Sequence, residues 1–159
     1  MHAFAPVEAK RPLILGGVHI KHTRGLAGHS DADVLTHAVM DALLGAARLG
    51  DIGEHFPPTD EAYRDADSIE LLTQVKGLLA EKGWILEDLD CVIIAEQPRL
   101  SPFRDEMQAR IAHALDVEPM QIGIKATTSE HLGFEGREEG ISAYAVALLH
   151  KKDMRTSNV

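Results

Sequence analysis

Apolar and polar positions along this chain follow two periods, and the changes of period mark its elements. Val34, Leu35, Ala38, Val39, Ala42, Leu43 and Ala46 recur at helical spacing and predict a helix ending near residue 47. Ser30 reads as its N-cap, with Asp31 and Asp33 in the first turn, where carboxylates suit the positive helix end. Asp33, His37 and Asp41 follow four apart and form a polar ladder on another face. Leu71, Leu72, Val75, Leu78 and Leu79 stripe a second helix, with Ser68 as N-cap and Gly83 just past its end. Phe103, Met107, Ile111 and Leu115 lie four apart on a third, opened by Ser101 and a first-turn Pro102.

The period-two segments fall between these helices. Residues 13–20 read as a strand bent at Gly16-Gly17. Trp84-Ile85-Leu86 opens an extended segment, and residues 90–96 form an apolar run with acidic ends, the pattern of a central strand. Residues 121–126 alternate, with Ile122 and Ile124 inward and Lys125 on the opposite side. Residues 141–149 read as a last strand. His2-Ala3-Phe4 opens abruptly with no preceding strand pattern, so an opening strand is expected to be missing; residues 61–67 read as a mobile surface segment, and residues 151–159 read as a frayed tail. No repeat or linker divides the chain. The expectation is one domain over residues 1–159, of α/β or α+β two-layer type, with a mixed sheet covered by helices on one face.

Composition narrows the class of partner. A chain of 159 residues, 45% hydrophobic, has enough material for one core. It has no membrane-spanning run and no targeting segment, so a cytoplasmic protein with no membrane partner is expected. The single cysteine, Cys91, lies among apolar neighbours and reads as a buried thiol. A net charge of −9 argues against nucleic acid as a partner. It also means that a phosphorylated ligand would need a metal, helix N-termini or a few placed cations. Nine histidines favour a metal or proton-transfer site.

Candidate chemistry sits in two stretches. His2, His29, His37 and Asp33 are candidate metal ligands, since a neutral imidazole oriented by a carboxylate is a good zinc donor. The alternative for His37 is a helix residue hydrogen-bonded to Asp33 or Asp41. Thr127-Thr128-Ser129-Glu130 offers hydroxyls and backbone N–H groups to phosphate, with Lys125, Arg99 and Arg137 as cations and Glu130 as a Mg²⁺ ligand. The alternative there is a hydroxyl-capped turn that starts a short helix. Phe134 between glycines lines a pocket or covers the core edge.

These pieces resemble, in order, a known family. His2-Ala3-Phe4, Leu15-Gly16-Gly17-Val18, the run Ala27 to Asp33, His37, Asp41 to Ala46, Leu49 to Gly53, Phe56-Pro57, Lys125 to Thr128 with Glu130, Leu132 to Phe134 and Gly136-Arg137 closely resemble the 2-C-methyl-D-erythritol 2,4-cyclodiphosphate synthases. The resemblance runs from residue 2 to about residue 150. It implies a lyase of the non-mevalonate isoprenoid pathway. The 2-phosphate of 4-diphosphocytidyl-2-C-methyl-D-erythritol 2-phosphate attacks the β-phosphate, and CMP is released. It also implies a homotrimer with active sites between subunits.

By the same resemblance His2 and His37 are zinc ligands, and Glu130 holds Mg²⁺ or Mn²⁺ on the substrate diphosphate. His29 and Ser30 belong to a phosphate loop, and Asp51, Ile52, Gly53 and Phe56 contact the erythritol part. Ala95, Arg99, Leu100 and Ser101 bind cytidine, with Ala126, Thr127 and Thr128 on the nucleotide phosphates. Phe134 and Arg137 lie in a substrate loop, Arg137 also facing the trimer axis. His29, Asp51, Thr128 and Glu130 are the expected catalytic set.

The chain departs from the family pattern twice. The family's zinc Asp stands two residues before the first His, a position ahead of Met1, so a start internal to the natural chain is expected. Pro58 stands where the family usually has Asp, which removes a polar contact and a backbone N–H. An inactive trimeric scaffold or isoprenoid-diphosphate-binding protein and a plain metal-dependent phosphohydrolase are the other readings. Neither would make a cyclic product.

Overall fold

A computed structural model describes residues 1–152; residues 153–159, most of the expected tail, lie outside the described part. A four-stranded sheet runs in the order β1-β6-β4-β5, and a separate hairpin pairs β2 with β3. β1 is His2–Ala3, β2 Leu13–Leu15, β3 Val18–Ile20, β4 Trp84–Ile94, β5 Ile122–Thr127 and β6 Gly140–Lys151. β6 runs antiparallel to both β1 and β4, whereas β4 and β5 are parallel. The sheet is therefore mixed, as expected.

Three long helices cover one face. They are α1 (Val34–Ala47), α3 (Ser68–Glu81) and α4 (Arg104–Leu115), with short α2 (Ile52–His55) and α5 (Gly133–Gly136) in the loops. α1 lies on β6 and against α3, and α4 lies on β5. Leu89, Cys91 and Ile93 of β4 point into this layer and are buried. The intervening positions face the open side, as the two-residue period of a strand requires. There β6 carries Tyr144, Val146 and Leu148, exposed by 52%, 73% and 60%.

Several boundaries differ from the sequence reading. The N-cap of α1 is Asp33, not Ser30: its carboxylate accepts the Thr36 N–H at 3.0 Å, and residues 28–32 are not helical. A carboxylate can accept from several donors at once, and this one also takes the Gly16 and Gly17 N–H groups and the Thr36 hydroxyl. That additional anchoring sets the start of the helix. Met40 and Leu44 are buried while Ala46 faces out, because α1 packs on two elements rather than one. Asp67, not Ser68, caps α3, and it accepts from Ile69 N–H. A 3-10 turn over Ser101–Phe103 precedes α4, so Ser101 is not its cap.

Residues 13–20 are a tight hairpin rather than one strand, with Gly16 and Gly17 both at positive φ in the turn. The opening stretch does form a strand: His2 pairs with Ile141 and Ala3 with Gly140. A two-residue strand is too short to show a period. The segment expected to be mobile holds a 3-10 turn at Glu61–Tyr63 and packs Tyr63 edge-on against Phe56.

Candidate active site

β4 and β5 end side by side, and the crevice beyond the carboxyl ends of parallel strands is where open sheets bind ligands. A cavity of about 340 Å³ opens there, walled by Ala95, Pro98, Arg99, Leu100 and Ser101 on one side and Ala126, Thr127 and Thr128 on the other. Every residue expected to bind cytidine or its phosphates lines it. Glu96, within the expected cytidine segment, lines it too, as does Arg104, which was not foreseen. Arg104 is the first residue of α4 and adds a second cation beside Arg99.

Glu96 is used structurally. Its carboxylate accepts from the N–H groups of His131 and Ser129 and from the Ser129 hydroxyl. These bonds hold its carboxyl below the usual range and pin the turn that carries Glu130. Glu130 and His131 both sit at positive φ, so the turn needs that anchor. The Glu130 carboxylate is exposed and takes the Thr128 hydroxyl proton at 3.1 Å. Such a carboxylate, beside a cavity with two arginines, suits a hard divalent cation shared with a phosphate. Beyond Thr127, the last residue of β5, the chain turns through Glu130, as the alternative reading had it, and the short helix α5 follows from Gly133.

A second cavity, of about 180 Å³, gathers His2, His29, Ser30, His37, Ile52, Gly53 and Phe56, with Pro58, Tyr63 and Leu71 completing the wall. The last two are apolar wall residues without a motif of their own. His2 also borders a third cavity of about 280 Å³, shared with Phe134 and Glu139. Asp51 does not line these walls; its exposed carboxylate caps α2 through Glu54 N–H. Asp41 accepts from Ile52 N–H and so fixes the same short helix. Arg137 is engaged by Glu139 at 2.9 Å rather than aimed into a cavity.

Two imidazoles meet at the heart of the second cavity. His2 Nε2 and His37 Nδ1 are 3.0 Å apart. Two nitrogens on one tetrahedral zinc stand about 3.3 Å apart at Zn–N distances of about 2.0–2.1 Å, so this pair has the bite of a zinc site. Burial holds both rings below the usual imidazole range, His37 at about 4, which keeps them neutral and able to donate lone pairs at pH 7. The outer nitrogen of His37 is held by the Ser30 and Ser68 hydroxyls, at 3.2 and 3.0 Å. His29, also in the wall, instead has Nε2 on the Asp60 carbonyl at 3.1 Å.

Two sequence expectations fail here. Asp33 is not a metal ligand: it is fully buried and all four of its contacts are protein donors. The ladder of Asp33, His37 and Asp41 does not form, because each residue has partners on another element. Among the described residues no three His, Cys, Asp or Glu side chains converge into a complete metal cage. Cys91 is buried, its thiol pushed up to about 12 by burial, and it offers no nucleophile.

The model of the YgbB family matches residues 1–150. This chain belongs to that family. The YgbB relatives include the 2-C-methyl-D-erythritol 2,4-cyclodiphosphate synthase of Synechococcus elongatus, 63% identical over 139 residues that cover 87% of each chain. The synthase of Lysinibacillus sphaericus is 55% identical over 152 residues, covering 96% of this chain and 94% of its own. Among solved structures, the IspF–CDP complex of Plasmodium falciparum aligns with a TM-score of 0.82 at 30% identity, over 96% of this chain and 92% of that one. The bifunctional IspDF of Campylobacter jejuni aligns with a TM-score of 0.90 at 46% identity, over 96% of this chain and 40% of that one. The curated relatives matched over most of their length are thus cyclodiphosphate synthases, lyases of isoprenoid biosynthesis.

Proposed function

We propose that this chain converts 4-diphosphocytidyl-2-C-methyl-D-erythritol 2-phosphate to 2-C-methyl-D-erythritol 2,4-cyclodiphosphate and CMP. An oxygen of the 2-phosphate attacks the β-phosphorus; the bond from that phosphorus to the oxygen bridging to the α-phosphorus breaks, and CMP leaves with the electron pair. The observation that carries this reading is the cavity at the ends of β4 and β5, which has nucleotide dimensions and two arginines in a chain of net charge −9.

Both reactants are anions on one molecule, so positioning and charge neutralisation account for most of the rate. Ala95, Leu100 and Ser101 bind the cytidine end, Thr127 and Thr128 hold its phosphates, and Arg99 and Arg104 neutralise them. His29, Ser30, Ile52, Gly53 and Phe56 enclose the methylerythritol phosphate, with Asp51 capping the helix beside it. Phe134 closes the side next to His2. His2 and His37 would hold zinc, and Glu130 would hold Mg²⁺ or Mn²⁺ with the substrate phosphates. Bound there, the ions supply Lewis acidity and cancel charge at the β-phosphate.

The nucleotide and metal cavities have separate walls within one chain. We assign them to one reaction across subunit boundaries in a homotrimer. The exposed apolar row Tyr144, Val146 and Leu148 on the open sheet face supports burial against neighbours. A cytoplasmic location fits the single buried thiol, and no helix among the described residues is long and apolar enough to cross a membrane.

The experiment is turnover of this substrate with Zn²⁺ and Mg²⁺, followed by ³¹P NMR. Cyclic diphosphate resonances are the expected result. Inorganic phosphate in their place would assign a phosphohydrolase.

A further inference from the structure

The His37 ring has a partner on each nitrogen, and the partners fix where its proton lies. Ser68 is fully buried at the start of α3. Its hydroxyl lies 2.5 Å from Asp31 Oδ1, and its N–H donates to Asp31 Oδ2 at 2.9 Å. A carboxylate accepts and does not donate, so the Ser68 proton points to Asp31. Ser68 Oγ then presents only lone pairs to His37 Nε2, 3.0 Å away, and Nε2 must carry the ring proton. Ser30 Oγ accepts from Ala32 N–H and shares that Nε2 proton at the longer distance of 3.2 Å.

A neutral imidazole protonated at Nε2 has its lone pair on Nδ1, the atom that faces His2. His2 turns its own Nε2 toward that lone pair. The two nitrogens stand 3.0 Å apart, so a cation bound between them would take one lone pair from each ring.

Helix capping does not account for the Ser68 hydroxyl. Asp67 already caps α3 by accepting from Ile69 N–H at 2.8 Å. The hydroxyl is buried and spent wholly on Asp31 and His37. Metal-bound histidines characteristically have their second nitrogen held by such outer partners.

We infer that Asp31 and Ser68 are positioning residues, a carboxylate–hydroxyl–imidazole relay that locks His37 in its Nε2–H tautomer and turns the Nδ1 lone pair, with that of His2, onto a divalent cation. The cation role rests on reading His2 and His37 as zinc ligands; the tautomer does not.

The test therefore has two readouts, made on wild type and on Ser68→Ala. The tautomer is read in the metal-free chain, labelled with ¹⁵N in its histidines, from long-range ¹H–¹⁵N correlations at pH 7.5. Zinc affinity is read by competition with a chromogenic chelator. Circular dichroism checks that Ser68→Ala remains folded, as the intact Asp67 cap requires. The relay requires Nε2–H at His37 in wild type, a mixed tautomer in Ser68→Ala, and zinc binding weakened about 10–100-fold in the variant. A wild-type His37 protonated on Nδ1 would overturn it. So would a Ser68→Ala chain with unchanged tautomer and unchanged zinc affinity. Failure of the wild type to take up zinc while the Nε2–H tautomer is present would overturn the cation role and the zinc reading, while supporting the tautomer lock.

Discussion

The Asp33 carboxylate accepts the Gly17 backbone N–H at 2.7 Å, tying the β2–β3 turn to the first turn of α1. It also takes Gly16 N–H, Thr36 N–H and the Thr36 hydroxyl, and Asp33 and Thr36 are both fully buried. Asp33→Ala leaves these donors without an acceptor and removes the helix cap. The expected cost is about 3 kcal/mol or more, read as a lower midpoint in urea unfolding. A midpoint equal to wild type would mean that the turn and helix do not depend on this carboxylate.

Acid acts on the fold in two opposing ways. Burial raises the Asp33 carboxyl from 3.8 to about 6, so its contribution to stability is complete below about pH 4 and is lost as pH rises through about 6. Burial lowers His37 from 6.5 to about 4, so its contribution is complete above about pH 6.5 and is lost as pH falls toward 4. In the metal-free chain, His37→Asn removes only the second effect. Its stability relative to wild type should rise by up to about 3 kcal/mol between pH 6.5 and 4. Denaturant titrations at a series of pH values measure this, and a constant difference would place His37 in a solvated setting.

Glu96 pins the turn that carries Glu130. Glu96→Ala frees the Ser129 and His131 amides, which should then exchange hydrogen faster while turnover drops. Glu96→Gln keeps one acceptor and should retain more of both properties. Equal exchange rates in Glu96→Ala and wild type would show that the turn holds itself.

Glu130 carries the assignment of the second cation. Glu130→Gln keeps the shape of the side chain and removes its charge, so catalysis should slow and its dependence on Mg²⁺ or Mn²⁺ should weaken. An unchanged metal-dependent rate would remove Glu130 from the site.

The helices α1, α3 and α4 and the strands β4 to β6 were legible because their buried faces repeat at fixed periods. Their starts were less so. Ser30 and Ser68 look like caps, but Asp33, three residues on, and Asp67, one residue before, accept the first free N–H groups and cap the helices. β1 was hidden because two residues cannot display a period, and only its partner β6 defines it. The nucleotide-side residues were legible as two motifs, yet their meeting depends on β4 and β5 lying parallel, which no local pattern encodes. Arg104, Tyr63 and Leu71 escaped notice because ordinary residue types reach the cavities only through tertiary packing. In the Asp31–Ser68–His37 chain, Ser68 lies 37 residues from Asp31 and 31 from His37, so it follows from no spacing rule.

Product stoichiometry decides between cyclisation and hydrolysis most directly. With zinc, magnesium and 4-diphosphocytidyl-2-C-methyl-D-erythritol 2-phosphate, wild type should release one CMP for each cyclic diphosphate, with no inorganic phosphate. His37→Ala should lose zinc and both products together while remaining folded. CMP release without a cyclic product, or full turnover by His37→Ala, would contradict a cyclisation carried out at the His2–His37 site.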